Sequence, residues 1–363
     1  MGYFKNIQLK NYRNFSEYIL NFNKGCNIIC GKNGSGKTNI LESISLFEKG
    51  TGFRKDKIIN LVNLENQNQN FSVCSNFYHE NTEYKINILN SEKNSKKLLV
   101  NENVDKESIK NFESLFSIIY FLPEMERLFD SSPSARRNFI DRLIFTYNKK
   151  YNYIVNSYKK SVYERQTLLK KSLYDESWML QIEKNIVNLG SIIYKSRLNH
   201  IEILNKILIK LDIIKNISHN FCLKINDSFL SDSNNLNLEK EYSEKLKLNR
   251  KIDLLSGGCR MGPHRSDIVG YKIENNLNIN QFSTGQQKTS ILLIIIAQCK
   301  YLIDDINIKP IILLDEICSH LDDNNRELLL YLINELNIQV FMTGTEKSFF
   351  SFLSTKANYC NIT

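Results

Sequence analysis

The segment Gly31–Thr38 has the residue types and the spacing of a phosphate-binding loop. It reads GKNGSGKT and fits the pattern G-x-x-x-x-G-K-[ST] in full. Gly34 and Gly36 permit backbone conformations that turn successive N–H groups inward, where they attract phosphate oxygens together with a helix N-terminus. Lys37 adds a positive charge for the β- and γ-phosphates, and the Thr38 hydroxyl suits Mg²⁺. The alternative is a glycine-rich turn between a strand and a helix.

A pair of acids supplies the second half of such a site. Asp315 and Glu316 directly follow the apolar run Ile311–Leu314, which is typical of a buried strand. Asp315 is placed to hold Mg²⁺ through water, and Glu316 is placed to orient and activate the attacking water. Acids are common at strand ends, so the pair gains its meaning from the phosphate loop. We expect the strands of the two motifs to be adjacent in one sheet.

A third segment contains no acid, His or Cys. Residues 281–290 read QFSTGQQKTS, and the apolar run Ile291–Ala297 follows at once. Ser283 or Thr284 could cap the helix that contains this run. Within one chain, a helix cap is a sufficient explanation of the segment.

Hydrophobic periodicity predicts the elements that carry these motifs. The short apolar strand CNIIC ends at Gly31, and a helix starts near Lys37 with Ile40, Leu41 and Ile44 on its apolar face. Alternating residues predict strands before residue 23, and further strands at 71–77 and 84–89. The expected fold class is α/β.

The middle of the chain is predicted to be helical. Ser132-Pro133 is a typical helix start, and apolar residues then recur at helical spacing as far as Val162. After a break at 172–177, a second periodic stretch runs from Trp178 to Leu211. These stretches predict two antiparallel helices, each about 50 Å long if unbroken, with too few heptads for a long coiled coil. We expect one lobe from residues 1–120 and 290–363, and a second from residues 121–289.

Composition sets the class of protein. A chain of 363 residues is too long for one compact core, so two domains or lobes are expected. Its net charge of +9 suits an anionic partner such as nucleic acid. The eight cysteines lack metal-ligand spacing, which predicts reduced thiols. The N-terminus lacks a signal core and the longest apolar run is too short to span a membrane. We expect a soluble, cytoplasmic protein.

Positive charge is concentrated between residues 134 and 171, where ten Lys and Arg face two acids. Such a surface suits contact with DNA phosphates without regard to base sequence. The alternative is a solvated helix face whose lysines reflect nucleotide bias in the gene. The candidate DNA contacts in this stretch are Arg136, Arg137, Lys149, Lys150, Lys159 and Lys160.

The order of these motifs resembles that of ABC-type ATPases, and more narrowly that of the RecF family of bacterial replication and recombination-repair proteins. The resemblance spans nearly the whole chain. Its segments are LKNYRNF (9–15), GKNGSGKTNILESI (31–44), GFR (52–54), FLPE (121–124), RRNFIDR (136–142), GPHRSD (262–267), STGQQK (283–288) and LLDEICSHLD (313–322).

The resemblance implies an ABC-type, SMC-like P-loop ATPase head with a second, mainly helical lobe that carries a short antiparallel arm. It implies ATP and Mg²⁺ as cofactors, with weak, regulatory hydrolysis. The nucleotide-binding residues would be Gly31, Lys32, Asn33, Gly34, Ser35, Gly36, Lys37, Thr38, Asn39 and Arg13.

The resemblance also implies partners. Ser283 and the Gly285 backbone would close the γ-phosphate side of a second subunit's site, giving an ATP-dependent homodimer. The dimer would bind double-stranded and gapped DNA, with Arg54 as a further contact, and would act with RecR and RecO to load RecA. No membrane partner is implied.

Several positions depart from the family pattern. Glu316 stands where RecF proteins commonly have Asp, and His320 where Glu is common. Cys259 replaces a Thr before GPHR, and Thr343 stands where many ABC ATPases have His. Glu124 is a positional candidate for the missing Q-loop glutamine. Two other functions stay open at this point: the nucleotide-binding subunit of a transporter, and a DNA scaffold that binds ATP without hydrolysing it.

Overall fold

The chain forms two compact units. In a computed structural model, which describes residues 2–90, 95–171, 175–211, 220–232, 237–318 and 322–362, unit 1 comprises residues 1–126 and 291–363. Unit 2 comprises residues 127–290. The sequence had placed the boundaries at residues 120 and 290.

The described elements alternate between short strands and helices of very different length. The strands are β1 (Gly2–Phe4), β2 (Asn6–Tyr12), β3 (Phe15–Asn21), β4 (Cys26–Cys30), β5 (Ser72–His79), β6 (Thr82–Asn90), β7 (Lys96–Val100), β8 (Ile118–Phe121), β9 (Phe221–Asn226), β10 (Asp267–Lys272), β11 (Ile311–Leu314), β12 (Gln339–Gly344) and β13 (Ala357–Asn361). The α-helices are α1 (Lys37–Ser45), α2 (Lys106–Ser114), α3 (Pro133–Tyr147), α4 (Tyr151–Leu169), α5 (Glu176–Lys210), α6 (Ser228–Asp232), α7 (Leu238–Leu248), α8 (Arg250–Ser256), α9 (Thr284–Asp304) and α10 (Asp323–Asn334).

Unit 1 contains a parallel sheet in the order β13-β4-β12-β11-β8. Every residue of β4, β11 and β12 is buried. Continuous burial is expected of parallel strands that are covered on both faces, and it explains the apolar runs Ile28–Cys30, Ile311–Leu314 and Val340–Met342 within them. The phosphate loop follows β4, and the Asp315-Glu316 pair follows β11.

The other described strands of unit 1 form an antiparallel sheet in the order β3-β2-β5-β6-β7, with β1 paired to β5. Its inward residues alternate along the strands, as Ile7 and Leu9 do on β2. The β2–β3 hairpin closes between Tyr12 and Phe15, so Arg13 and Asn14 form a two-residue turn. Arg13 has φ 52°, the sign that such tight hairpin turns require.

One buried amide connects the two sheets of unit 1. Gln339 of β12 is fully buried, and its Oε1 accepts the N–H of Phe4 at 2.9 Å. Its Nε2 donates to the carbonyl oxygens of Phe4 and Asn23, at 2.8 and 2.9 Å. Because all three contacts are to backbone, the amide supplies partners to strand-edge groups that would otherwise be buried unpaired.

The helical part of unit 2 begins at the predicted residue, but its first helix is shorter than predicted. The Ser132 hydroxyl accepts the N–H of Ala135 at 3.3 Å and Pro133 opens the helix, so the predicted N-terminus is confirmed. The predicted single helix to Val162 is wrong, because α3 ends at Tyr147 and α4 starts at Tyr151. Asn148 adopts a non-helical conformation and its Oδ1 accepts the N–H of Lys150, which replaces a helical bond with a local turn.

Helices α4 and α5 form an antiparallel hairpin. Helix α5 has 35 residues, or about 52 Å. Three facing pairs are spaced seven residues apart and run in opposite directions along the two helices: Arg165 with Glu183, Tyr158 with Gly190, and Tyr151 with Arg197. The last two side chains both donate to Asp141 Oδ1 at 2.8 Å. Among the described residues, α5 included, no helix is long and apolar enough to cross a membrane.

A group of buried ion pairs holds the short helix α8 against the end of this hairpin. The Arg165 guanidinium is 1% exposed, and it donates to Glu183 at 2.9 Å and to Asp253 at 2.7 Å. Arg250 donates to both carboxylate oxygens of Glu183, at 2.7 and 3.0 Å, and to Glu176 at 2.7 Å. We call these five residues the tip network. Since a buried charge is tolerated only when it is paired, the network fixes the position of α8.

Replacing Arg165 with Met should therefore destabilise unit 2 by about 3 kcal/mol, because Asp253 would lose its buried counter-ion. Urea unfolding followed by the fluorescence of Trp178, the single tryptophan of the chain and part of α5, measures the effect.

Lys160→Met is the matched control, since Lys160 is exposed and, within the described ranges, its ion pair is with Glu164 at 3.7 Å on the surface of α4. It should change the free energy of unfolding by no more than about 0.5 kcal/mol. Equal effects of the two substitutions would contradict the role given to the tip network.

Candidate functional site

The phosphate loop connects β4 to α1 through two glycines with positive φ. Gly34 has φ 82° and Gly36 has φ 101°. A Cβ atom at Gly36 would lie 2.5 Å from the ring of Phe15 and 2.7 Å from the amide of Asn14. Only glycine satisfies both the conformation and the space at this position. The Gly36 carbonyl then accepts the N–H of Ile40 at 3.1 Å, which starts the helix.

Lys37 is folded back onto its own loop. Its Nζ donates to the carbonyl oxygens of Gly31 and Lys32, at 2.8 and 2.9 Å, and the residue is 5% exposed. In the described part of the chain the buried Ser35 Oγ has no hydrogen-bond partner. An ammonium that meets only neutral carbonyls and a hydroxyl without a partner, both beside a helix N-terminus, fit a phosphate group.

The strands that carry the two motifs are not adjacent, contrary to the sequence-based expectation. Strand β12 lies between β4 and β11. Strand order in a parallel sheet is set by crossover connections, which the local sequence of each strand does not encode. The intervening strand contributes Thr343 to the space between the phosphate loop and Asp315.

Asp315 collects hydroxyl groups from two elements. It is 4% exposed, and the Thr38 hydroxyl at the start of α1 lies 2.9 and 3.1 Å from its two carboxylate oxygens. The Thr343 hydroxyl of β12 donates to its Oδ1 at 2.7 Å. Hard oxygen ligands of this kind are those that Mg²⁺ prefers. Thr38 and Asp315 are therefore the residues that would hold the ion.

Glu316 differs from Asp315 in both environment and backbone. Its side chain is exposed and its φ is 50°, a left-handed conformation that is uncommon for a residue with a Cβ. Its N–H donates to the Thr343 hydroxyl at 2.8 Å, which fixes this conformation. Strained residues of this kind cluster at functional sites because surrounding contacts over-determine them. Thr343, which stands where many ABC ATPases have His, thus contacts both acids of the pair.

Glu42, which sequence reasoning did not select, lies at the centre of a cluster beside the loop. This fully buried residue of α1 accepts from Arg13 at 2.7 and 2.9 Å and from Arg54 at 3.2 Å. Arg13 also donates to Asp56 at 2.7 Å, and this hydrogen bond lowers the pKa of the Asp56 carboxyl. The sequence signal that could have identified Glu42 is an acidic residue among the apolar positions of α1.

In this cluster Arg13 and Arg54 bind other residues of the chain. The resemblance implies instead that Arg13 contacts the nucleotide and that Arg54 contacts DNA. The guanidinium nitrogens of Arg13 are all engaged, since Nη1 donates to the carbonyl of Asn60 at 3.1 Å. Arg54 donates to Asn39 at 2.7 Å as well as to Glu42, although its side chain is 36% exposed. Both arginines thus support α1, on which Lys37 and Thr38 lie.

The Ser283 segment of unit 2 forms a capping box. The Ser283 hydroxyl accepts the N–H of Gln286 at 3.3 Å, and the Gln286 side chain accepts the N–H of Ser283 at 3.1 Å. The expected cap is confirmed for Ser283, whereas Thr284 is the first residue of α9. Both side chains are exposed.

Two other family motifs have different outcomes. In the SHLD motif, Ser319, His320 and Leu321 lie outside the described residues. Glu124 lies in the 3₁₀-helix Pro123–Arg127, directly after β8. Strands β8 and β11 are parallel neighbours, so Glu124 and Asp315 both come after the carboxyl ends of their strands, at the same edge of the sheet.

The basic stretch of unit 2 contains less free charge than its composition indicated. Arg136 is 9% exposed and donates to both oxygens of Asp267 at 2.8 Å and to two backbone carbonyls. Arg137 is half-buried and donates to the carbonyl of Ser266 at 2.6 Å. These contacts stabilise unit 2, and contact of the two arginines with DNA phosphates stays a prediction.

The lysines of the same stretch are more accessible. The Nζ of Lys149 lies over the ring of Phe145, 4.7 Å from its centroid, and Lys149 is half-buried. Lys150, Lys159 and Lys160 are exposed. These three are the candidates of the stretch that offer solvent-facing positive charge on α4 and the residue before it.

The GPHRSD motif serves the interior of unit 2. The carbonyl of Cys259 lies 2.9 Å from both His264 Nε2 and Arg265 Nε, and His264 Nδ1 lies 2.7 Å from the Tyr158 hydroxyl. Burial lowers the pKa of His264 to about 4. The Cys259 thiol donates to the carbonyl of Met261 at 3.1 Å, a contact that a Thr hydroxyl at this position could also make.

Together these features define the class of protein. A phosphate loop after β4 and a buried acid after β11, on a parallel sheet joined to an antiparallel one, are the parts of an ABC-type P-loop ATPase head. The chain belongs to the RecF/RecN/SMC N-terminal domain family, whose model matches residues 3–359.

RecF proteins are among its relatives within the family. The DNA replication and repair protein RecF of Rickettsia typhi is 32% identical over 343 residues, which cover 93% of each chain. RecF of Rickettsia prowazekii is 31% identical over 344 residues, covering 94% of this chain and 93% of the relative.

Solved structures show the same fold. The recombination mediator protein RecF with ATPrS, in the RecFOR pathway, has a TM-score of 0.82 at 28% identity and covers 96% of this chain and 94% of its own. The Smc head domain of Pyrococcus furiosus has a TM-score of 0.54 at 19% identity, covering 97% of this chain and 92% of its own. The expected ABC-type, SMC-like fold is thereby confirmed.

Thr343→Val should weaken Mg²⁺-dependent ATP binding by roughly tenfold or more, because Asp315 loses one charge-assisted hydrogen bond and Glu316 loses its backbone acceptor. Titration of a fluorescent ATP analogue with Mg²⁺ and then with EDTA measures the two affinities. The loss should be smaller in EDTA.

Thr343→Ser is the control because it keeps the hydroxyl group, and it should bind nearly as the parent protein does. If the Val and Ser variants bound the nucleotide equally, Thr343 would have no role in orienting the acid pair.

Proposed function

We propose that this protein is an ATP-dependent DNA-binding protein of replication and recombinational gap repair. The observation that carries the proposal is the assembly of Lys37, Thr38 and Asp315 at one edge of the parallel sheet, with hydroxyl-to-carboxylate distances of 2.9 and 3.1 Å. Membership in the family, RecF relatives that are DNA replication and repair proteins, and a RecF structure with ATPrS support it.

In this proposal the loop from Gly31 to Asn39 binds the triphosphate. The backbone N–H groups and the α1 N-terminus attract the phosphates, and Lys37 exchanges its carbonyl contacts for the β- and γ-phosphates. Thr38 and Asp315 would hold Mg²⁺, which would neutralise charge on the phosphates. Arg13, through Glu42, keeps α1 in position and contacts the nucleotide only if a Glu42 hydrogen bond is exchanged.

Glu316 is the proposed general base. Its exposed carboxylate follows Asp315 directly, and the Thr343 hydroxyl holds its N–H. A carboxylate in this position can orient and deprotonate an attacking water. We expect weak, DNA-dependent and regulatory hydrolysis that ends the ATP-bound state rather than metabolic turnover.

The Ser283 segment is proposed to complete the site of a second subunit. Its hydroxyl is exposed at the N-terminus of α9, and Gly285 places no side chain in front of the helix end. A helix N-terminus with an exposed hydroxyl favours an anion such as the γ-phosphate. ATP binding would therefore drive formation of a homodimer on DNA, and hydrolysis would release it.

DNA is proposed to contact the solvent-facing lysines of unit 2, namely Lys150, Lys159 and Lys160, with Arg54 of unit 1 as a further candidate. Contacts of this kind are to phosphates and are independent of base sequence. The proposal includes a role at gapped DNA with RecR and RecO, upstream of RecA loading. Its support is the similarity to RecF structures that are described as part of the RecFOR pathway. The proposed location is the cytoplasm.

Ser283→Arg should abolish the ATP-dependent dimer while leaving ATP binding to the monomer within about twofold, because the side chain would obstruct only the surface that faces a partner. Sedimentation velocity with ATP, ADP or no nucleotide, each with and without gapped DNA, measures assembly. Fluorescent nucleotide titration measures binding.

Glu316→Gln is the matched variant in the same experiment. It should keep the dimer and lengthen its lifetime in ATP, since the general base is lost while nucleotide binding is retained. Loss of monomer ATP binding in Ser283→Arg would return this segment to a purely structural role. A Glu316→Gln dimer that decays as fast as the parent would remove Glu316 as the base.

Changing Lys150, Lys159 and Lys160 together to Glu should weaken binding to double-stranded DNA and reduce the slope of log affinity against log salt by up to about 3, since each phosphate contact contributes about 0.9 to that slope. Fluorescence anisotropy with a labelled duplex at several salt concentrations measures both quantities.

The control changes Lys184, Lys206 and Lys210 of α5 to Glu. These positions are also exposed, and the net charge changes by the same amount as in the α4 variant. It should leave the slope near that of the parent. A larger loss in the control would place the DNA on α5 instead of α4.

A further inference from the structure

Helix α8 has its polar and apolar sides reversed relative to an ordinary surface helix. Two of its polar residues, Arg250 and Asp253, point into unit 2, where they belong to the tip network, and Asp253 is 2% exposed. Its apolar residues face solvent instead. A surface helix normally buries its apolar stripe and exposes its charges, so the reversal calls for an explanation in terms of a contact.

The exposed apolar residues form a stripe that continues from the end of α7. Leu248 is 79% exposed, Ile252 47% and Leu255 88%, at spacings of four and three residues. Leu254 beside them is 44% exposed. We call these four residues the tip surface. Single exposed apolar residues are common on proteins, but four exposed aliphatic residues within eight positions indicate a contact site.

The tip surface is held in place before any partner arrives. Arg165 binds Asp253 on the inner side of α8, and Arg250 of α8 binds Glu183 of α5. The Arg165 Nη2 also donates to the carbonyl of Leu246 at 2.8 Å, and the Asp253 carboxylate accepts the N–H of Arg260 at 2.9 Å. A rigid surface loses less conformational entropy on binding than a mobile one. The ion pairs therefore present the leucines rather than bury them.

The charge around the tip surface selects among occupants. Lys247, Lys251 and Arg260 are exposed, and between residues 247 and 260 the only acid is Asp253, which is buried against Arg165. A second copy of this surface would bring the same positive charges together and be repelled. DNA phosphates would suit the lysines but gain nothing from aliphatic side chains.

We propose that the tip surface binds an amphipathic helix of a partner protein, whose apolar stripe packs on Leu248, Ile252 and Leu255 and whose flanking carboxylates meet Lys247 and Lys251. Side chains at spacings of three and four residues form ridges that interdigitate with those of a second helix. Acidic flanks supply the charge complementarity that favours this partner over a basic one.

The probe is a pair of fluorescein-labelled peptides of about 18 residues, long enough to form a helix. Both carry Leu at positions i, i+3, i+4 and i+7, and one has Glu and the other Lys on the flanks. By anisotropy, the protein should bind the Glu peptide saturably and the Lys peptide at least about tenfold more weakly.

The double variant Leu248→Gln, Leu255→Gln should bind the Glu peptide about tenfold or more weakly than the parent protein, because two apolar contacts are lost. Ile209→Gln is the matched control: Ile209 is 69% exposed near the C-terminus of α5 and outside the tip surface. It should leave binding unchanged. Urea unfolding followed by Trp178 fluorescence should show the same midpoint for all three proteins.

Lys247→Glu with Lys251→Glu gives a test that loss of folding cannot imitate. This variant should bind the Lys peptide better than the Glu peptide, reversing the preference. Absence of saturable binding, or a preference that charge reversal leaves unchanged, would overturn the proposal.

Two further measurements identify the other occupants. Weaker binding of the leucine variant to vesicles of phosphatidylglycerol, with peptide binding unchanged, would assign the surface to a membrane. A changed sedimentation coefficient of the nucleotide-free leucine variant would assign it to a second copy. Either result would overturn the partner-helix proposal.

Discussion

The buried carboxylate of Asp315 is the constraint around which unit 1 is organised. A charged group that is 4% exposed at the end of an apolar strand costs several kcal/mol unless its oxygens are satisfied. Two hydroxyl groups satisfy it, one from the start of α1 and one from β12. The acid, the phosphate-loop helix and the intervening strand must therefore keep their positions together, and a nucleotide site results from that requirement.

The same rule governs the arginines. Arg165 and Arg136 are nearly inaccessible to solvent, and each faces a carboxylate within 2.9 Å. Arg13 likewise binds the fully buried Glu42 at 2.7 Å. Because these arginines are buried and paired, they add little positive charge to the protein surface. A count of basic residues along the chain therefore overestimates the positive charge that is available to bind DNA. Lysines, whose compact ammonium groups are strongly hydrated, retain most of the solvent-facing charge.

The Ser283 segment shows how one local arrangement can have two uses. Within one chain the reciprocal bonds of Ser283 and Gln286 satisfy backbone groups at the start of α9. The same arrangement leaves a hydroxyl and a helix N-terminus facing solvent. A helix cap is thus compatible with a role in a dimer, because neither bond needs to break for an anion to approach.

The sequence by itself determined the features that depend on neighbouring residues. Glycines at positions 34 and 36, the Ser132-Pro133 helix start, the Ser283 cap and the apolar strand before Asp315 are all local, and the structure has each of them. Only the tertiary structure decided which strand lies between β4 and β11, which arginines are neutralised, and that Glu42 joins Arg13 and Arg54. These are contacts between residues far apart in the chain, set by crossover connections and by the cost of burying an unpaired charge, and neither can be read from spacing within one segment.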